Sequence, residues 1–221
     1  MTTENQIKPS IPTIRRLPLY LSVLKCVAQA GHRTISSSFI AKELKLEPIQ
    51  VRKDLSSTGM TGQPRIGFSV PQLIDVLEDF LGYRNLKDAF IVGAGNLGVA
   101  LMGYKGFKEY GIKIAVAFDT ASDKIGTEVN GIEILHIDRL PNLIGRMHIN
   151  IGIITVPDSM AQNVADVMVN AGVKAVWNFS STKLNVPDDV IVERVDLVAS
   201  LAALSSKLKI SLAEKESLKN E

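Results

Sequence analysis

Three glycines spaced as Gly93-x-Gly95-x-x-Gly98 follow directly on the apolar run Ala89-Phe90-Ile91-Val92, and this turn is the part of the sequence best suited to hold a phosphorylated ligand. Gly93 permits a tight strand-to-helix turn, Gly95 lets the backbone approach a pyrophosphate, and Gly98 lets the next helix pack closely. Ala94, Asn96 and Leu97 complete the turn. The helix that begins there directs free amides and the positive end of its dipole at an anion. Asp119 stands 21 residues after Gly98, at the end of a run from Lys113 to Phe118. A carboxylate so placed accepts hydrogen bonds from both ribose hydroxyls of an adenosine and repels a 2′-phosphate, which favours NAD(H) over NADP(H). Thr155, Val156 and Pro157 fall where the run from Ile149 ends, at the carboxyl edge where ligands of open α/β sheets collect. They are candidates for the nicotinamide half, with Tyr104 a further one.

A second set of residues suits a polyanion. Gln50, Lys53 and Ser57 project from a helix predicted over Pro48–Ser57, with Arg52 on its flank, and Val51 and Leu55 point the other way. Gln can pair with adenine through two hydrogen bonds, and Arg or Lys with guanine. Ser36-Ser37-Ser38 caps a preceding short helix with Ile40, Ala41 and Leu44 inside, and Ser37 is a further candidate for a DNA contact. Two short helices joined by a tight turn match a helix-turn-helix whose second member enters the major groove.

The elements that must position these groups follow from periodicity. Leu17, Tyr20, Leu21, Leu24 and Val27 recur at helical spacing from Thr13 to about Gly31. The glycine- and proline-bearing stretch from Gly59 to Val70 predicts a β-hairpin, the wing of a winged helix, with Arg65 near its tip. A helix over Gln72–Leu81 buries Leu73, Val76, Leu77, Phe80 and Leu81, and Gly82-Tyr83-Arg84-Asn85 reads as a linker. Beyond it, strands at Ala89–Val92, Lys113–Phe118, Ile149–Val156 and Ala175–Phe179 alternate with helices, including Asp158–Ala171, which implies a parallel sheet covered on both faces. The glycine motif alone is weak evidence; between a predicted strand and a helix it is much stronger.

The resulting fold class is α/β: a winged helix-turn-helix over 1–84, a Rossmann-type sheet over 85–194, and a terminal helix with a charged tail over 195–221. Residues 5 to 66 hold ten Lys or Arg against three acids, whereas residues 85 to 221 hold fourteen bases and sixteen acids. A polyanion partner therefore suits the first module only. Cys26 is the single cysteine, so an intrachain disulfide is excluded; its helical setting reads as a packed small hydrophobe, and no metal site is expected. With no leader and no membrane-length apolar run, the chain reads as soluble and cytoplasmic.

From Asn85 onward there are 137 residues, which one Rossmann domain and a helix consume, leaving no substrate lobe. His136 and His148 read as lying before or at strand starts, away from the chemistry, and the phenylalanines and Trp177 as core. Cofactor binding without catalytic groups suggests a sensor. An NAD-dependent oxidoreductase with a basic extension is the alternative, and a nucleotide-binding module related to acyl-CoA ligase subunits ranks last. The apolar helix from Val195 to Leu204 suits packing on a partner subunit or on its own domain, and the stretch from Ser211 to Glu221 is expected to fray.

The runs Thr13 to Leu21, Ile49 to Ser56, Gly93 to Gly98 and Val195-Asp196-Leu197 closely resemble the Rex family of redox-sensing transcriptional repressors, and the resemblance covers nearly the whole chain. It implies a homodimer with exchanged C-terminal helices that binds an inverted-repeat operator in double-stranded DNA when NADH is scarce relative to NAD+ and releases it when NADH binds. Gln50, Arg52 and Lys53 would then read or grip the operator, with Arg65 in the wing. Gly93, Gly95, Asn96, Leu97, Gly98 and Asp119 would hold the dinucleotide, and Arg16 and Asp196 would form a salt bridge that switches between states. The chain departs from many relatives at Ser57-Thr58, where they carry an aromatic pair, at Pro64-Arg65 in the wing, and at Leu197, where they carry Phe.

Overall fold

The computed structural model describes residues 9–84 and 87–217, the side chains of 214–217 excepted, and divides the chain into two compact units, Met1–Asn85 and Leu86–Glu221. The expected arm before Pro9, the linker residue Asn85 and the tail after Ser217 lie outside the described residues.

In the first unit, α1 (Ile11–Gln29) begins where Ser10 accepts a hydrogen bond from the Thr13 amide, and it buries Leu17, Tyr20, Leu21 and Leu24. Ser36 caps α2 (Ser37–Leu44) in the same way, and Lys45 in the left-handed conformation ends it. That turn redirects the chain into α3 (Pro48–Ser56), which starts on Pro48 because a first-turn residue needs no amide donor. Strands β1 (Thr34–Ile35) and β2 (Phe68–Ser69) form an antiparallel pair, and α4 (Val70–Phe80) completes the unit. Leu17, Tyr20, Ile40, Val51, Leu55, Phe68, Leu73 and Leu77 share one core.

The predicted hairpin is smaller than expected. Its tip is held by a single bridge between Gln63 and Gly67, and β2 pairs with β1 instead of with a second wing strand. Gly67 explains the tight fit: at φ +89° it runs so close to β1 that an added Cβ would stand 2.3 Å from the Ile35 carbonyl oxygen. Three burial expectations also fail. Cys26 is exposed because it faces away from the Leu17–Leu24 stripe, and Phe39 and Phe80 are exposed at 44% and 39%. Phe80 flanks the stripe of Val70, Leu73 and Leu77, which Leu81 and not Phe80 continues against the core.

The second unit is a seven-stranded sheet in the order β5-β6-β4-β3-β7-β8-β9. Its strands are β3 (Lys87–Val92), β4 (Ile112–Asp119), β5 (Glu128–Val129), β6 (Ile132–His136), β7 (Ile151–Ile154), β8 (Ala175–Asn178) and β9 (Ile191–Arg194). All pairings are parallel except β5 with β6. From β6 to β9 the order is that of a Rossmann sheet, in which the winding reverses between β3 and β7 and opens a crevice at their carboxyl ends. Helices α5 (Asn96–Met102), α6 (Gly106–Glu109), α7 (Leu140–Met147) and α8 (Asp158–Asn170) supply the connections. One apolar cluster includes Phe90, Phe118, Ile154, Ala161 and Met168, and the other includes Ile91, Met102, Ala117, Ile134 and Ile153. Phe90 and Phe118 meet edge to face at 5.3 Å.

β5, β6, β9 and α7 were not anticipated; their apolar runs are two to five residues long or interrupted by charges. The last helix, α9 (Leu197–Ser217), extends well past the point where fraying was expected, and every described side chain from Leu197 to Ala213 is exposed. The alternative in which this helix packs on its own domain is therefore not what the fold adopts. Among the described residues no helix is long and apolar enough to cross a membrane, and no group of three His, Cys, Asp or Glu could hold a metal ion.

Candidate functional site

The glycine turn joins the carboxyl end of β3 to α5, and each glycine answers to a different constraint. Gly93 has φ +104°, and a Cβ there would lie 2.8 Å from the backbone of Thr155. At Gly98 a Cβ would lie 1.9 Å from the Gly93 carbonyl oxygen, so α5 can approach the turn only without a side chain at this position. At Gly95, the helix cap, a Cβ would meet nothing within 4 Å, which leaves the open face a pyrophosphate needs. Thr155 ties the two switch-point strands together: its hydroxyl donates to the Gly93 carbonyl at 2.7 Å and approaches that of Val92 at 3.0 Å, and its amide donates to Val92 at 2.9 Å.

Asp119 ends β4 beside this turn. Its Oδ2 accepts from the Ala94 amide at 2.8 Å, and its Oδ1 accepts from the amides of Thr120 and Ala121 at 2.8 and 2.9 Å. Lys124 Nζ lies 3.4 Å from Oδ2. Burial opposes the charge of Asp119, but the amides of Ala121, Ala94 and Thr120 and then Lys124 outweigh it, so the carboxyl titrates below its ordinary range. A cavity of about 290 Å³ opens here, with Gly93, Gly95, Asp119, Lys124, Thr155 and Pro157 among its lining residues. These groups fit a dinucleotide: glycine backbone and a helix N-terminus for the phosphates, and a fixed carboxylate for a diol.

Two sequence expectations change at this point. Tyr104 lines a separate cavity of about 510 Å³ with Met102, Phe107 and Asn130, because α5 ends after two turns and the tyrosine ring packs on Phe107 at 4.9 Å. His136 lies at the carboxyl end of β6, directly across from Asp119, and not at a strand start. It stands two strands away from the β3–β7 crevice, on the side of the sheet order where the Asp119 carboxylate lies. His148 ends α7 in the left-handed conformation, ahead of β7.

The first unit is organised by an aspartate that the sequence reading did not single out. Asp54, on α3, is buried, with 2% of its side chain exposed. It accepts from Arg16 Nε at 2.7 Å, Arg16 Nη2 at 2.9 Å, Tyr20 Oη at 2.6 Å, Thr13 Oγ1 at 3.1 Å and Gln50 Nε2 at 2.9 Å. Burial pushes the carboxyl up, yet the donors Arg16, Tyr20, Gln50 and Thr13 prevail and hold it at about 2. Tyr20 is raised by its burial and then by its bond to Asp54, and Arg16 is raised chiefly by Asp54. The signal was present: Asp54 is three residues after Val51 and adjoins Leu55, so it falls in the apolar stripe of α3, where a carboxylate requires partners.

Of the candidate polyanion contacts, Gln50, Arg52, Lys53 and Arg65 are exposed. Arg65 takes φ +64° at the tip of the wing turn. Ser37 is buried in the first turn of α2, and the Ser57 hydroxyl donates to the Asp54 carbonyl at 2.6 Å. A concavity of about 430 Å³ between α3 and the wing gathers Ser36, Ser37, Arg52, Ser56, Gln63 and Arg65. Arg16 is engaged by Asp54, and Asp196 pairs with Arg194 at 2.8 Å and accepts from the Ala199 amide.

A helix-turn-helix with a small wing, followed by a Rossmann unit with no substrate lobe among the described residues, defines a ligand-responsive transcription regulator. Family models agree with both halves: residues 9–56 match the family described as "Putative DNA-binding protein N-terminus" and residues 84–182 match the CoA binding domain. The redox-sensing transcriptional repressor Rex of Treponema denticola is 46% identical over 196 residues, covering 89% of this chain and 93% of that protein. The Rex of Bacteroides fragilis is 42% identical over 220 residues, covering 97% and 100%. The crystal structure of RSP, a Rex-family repressor, in complex with beta-NAD+ and operator DNA superposes with a TM-score of 0.87 at 36% identity, covering 96% of this chain and 98% of that one. The complex of RSP with beta-NADH gives 0.85 at 34% identity, covering 94% and 98%. This chain belongs to the Rex family of redox-sensing transcriptional repressors.

Proposed function

We propose that this protein is a cytoplasmic repressor that binds an inverted-repeat operator as a homodimer and leaves it when NADH occupies the Rossmann unit. The observation that carries this reading is the pairing, in one chain, of an exposed Gln50-Arg52-Lys53 helix with a glycine turn whose Gly95 face is open beside Asp119. Arg52, Lys53 and Arg65 grip phosphates or groove edges, Gln50 reads a base, and residues 93–98 with Asp119 and Thr155 to Pro157 hold the dinucleotide. No turnover is assigned to it. The homodimer is supported by α9, where Leu197, Leu201, Leu204, Leu208 and Leu212 are all more than half exposed and recur at spacings of three and four. A stripe of this kind calls for a partner surface, and Tyr104, exposed at 55%, is free to be reached from a second subunit.

The switch assigned to Arg16 and Asp196 requires Asp196 to leave Arg194, whereas Arg16 holds Asp54 through Nε and Nη2 and can meet a second carboxylate across subunits through Nη1 without releasing it. Only ligand that binds the two states with different affinity can drive such a change. The test is fluorescence anisotropy of an operator duplex at fixed salt, titrated with NADH and separately with NAD+. Release at low NADH with little effect of NAD+ supports the reading, and DNA binding indifferent to both removes the sensor. An Asp196→Ala dimer with an unaltered NADH response removes the switch.

A further inference from the structure

Gln50 faces the solvent side of α3 with one hydrogen bond already made, from its Nε2 to Asp54 Oδ1 at 2.9 Å. A carboxylate only accepts, so this bond decides which end of the Gln50 amide points toward Asp54. The NH2 end does, and one N–H together with Oε1 stays available on the exposed side. Pairing with an adenine edge needs an N–H and a C=O side by side in a defined order. A surface glutamine without such a partner is free to flip its amide and offers both orders.

The carboxylate that imposes this order is itself held from another helix. Thr13, Arg16 and Tyr20 of α1 supply four of its five hydrogen bonds, two on Oδ2 and two on Oδ1. Asp54 is therefore fixed whether or not anything lies against α3, and Gln50 takes its orientation from α1 through it. We infer that Asp54 is a specificity-determining positioning residue: by fixing the amide of Gln50 it makes adenine the preferred base where that side chain meets the operator. This rests on α3 being the base-reading helix. Asp54 acts through Gln50 and, being buried, contacts no base itself.

The test is selection by the full-length protein from a duplex library carrying inverted repeats with randomised half-sites, followed by sequencing of the bound fraction. The intact protein is expected to enrich adenine at one position of each half-site, and Gln50→Ala to abolish that enrichment. Asp54→Asn, whose amide can donate as well as accept, is expected to lower it at the same position by about fivefold or more while the other positions keep theirs. Thr13→Val removes a donor but keeps the carboxylate, and the preference should survive. Asp54→Asn protein that keeps the adenine preference, or loses every position alike, overturns the inference. No enrichment by the intact protein overturns instead the assignment of α3 as the base-reading helix.

Should Asp54→Asn not fold, the unaltered protein carries the test by NMR. The Gln50 side-chain NH2 pair, assigned through its absence in Gln50→Ala, should show one proton shifted downfield and slowed in exchange. Two equally exchanging protons overturn the inference.

Discussion

Asp54 and Asp119 are two largely buried carboxylates that do different work because of where their donors come from. Asp54 is surrounded by side chains of α1 and by Gln50, and only 2% of its side chain is exposed. Asp119 is held by three backbone amides and keeps 13% exposure on the wall of a cavity. Side-chain donors converging from a second helix lock two elements together and leave no room for a ligand. Backbone donors from the residue's own loop and the glycine turn hold the carboxylate without covering it, so a ligand diol can be met by a group that needs no rearrangement. The same residue type is thus a clamp in one unit and a receptor in the other.

The comparison is broken most directly at the clamp. Asp54→Ala leaves Tyr20 without its partner in the interior and Arg16 without its own at the edge of the core, where water reaches it, and such a loss costs up to about 3–5 kcal/mol. Thermal melts followed by circular dichroism should show the first unit unfolding at lower temperature and operator binding lost, while NADH titration of the second unit is unchanged. A parallel loss of NADH binding would mean that the two carboxylates do not serve independent units.

Gly98→Ala addresses the receptor. The added Cβ has to move 1.9 Å contact with the Gly93 carbonyl out to an ordinary distance, displacing α5. Overpacking of this kind costs up to about 3 kcal/mol, and NADH affinity measured by calorimetry should fall by more than about tenfold while operator binding without cofactor persists. Unchanged NADH affinity would show that the turn does not bind the phosphates.

Acid sharpens the contrast with a smaller effect. The folded value of Asp54, about 2, lies below its ordinary 3.8, so its contribution is present above 3.8 and is lost as pH falls from there through about 2. The shift corresponds to about 2 kcal/mol. Melts of the intact protein at pH 5 and pH 2 should differ by more than those of Asp54→Asn; equal differences would mean that the carboxylate is not stabilised by its donors.

Much of this could be read along the chain. The glycine spacing, Asp119 at the end of its strand, Pro48 opening α3 and the cap at Ser36 are local signals, each set by backbone sterics or by a side chain within a few residues of its target. The errors have a common origin in contacts distant in sequence. The wing strand pairs with residues 34 and 35, more than thirty positions earlier, so its partner could not be recognised from the turn itself. His136 joins Asp119 only because β6 adds beside β4.

Sequence by itself determined the two modules, their order and the chemistry each could hold, since composition, periodicity and glycine spacing are properties of the chain. Tertiary structure alone decided that Asp54 gathers Thr13, Arg16 and Tyr20 from α1, and that Gly67 runs against the Ile35 carbonyl of β1. The physical reason is that a buried charge and a forbidden Cβ depend on atoms brought near by packing, which pattern along the chain does not specify.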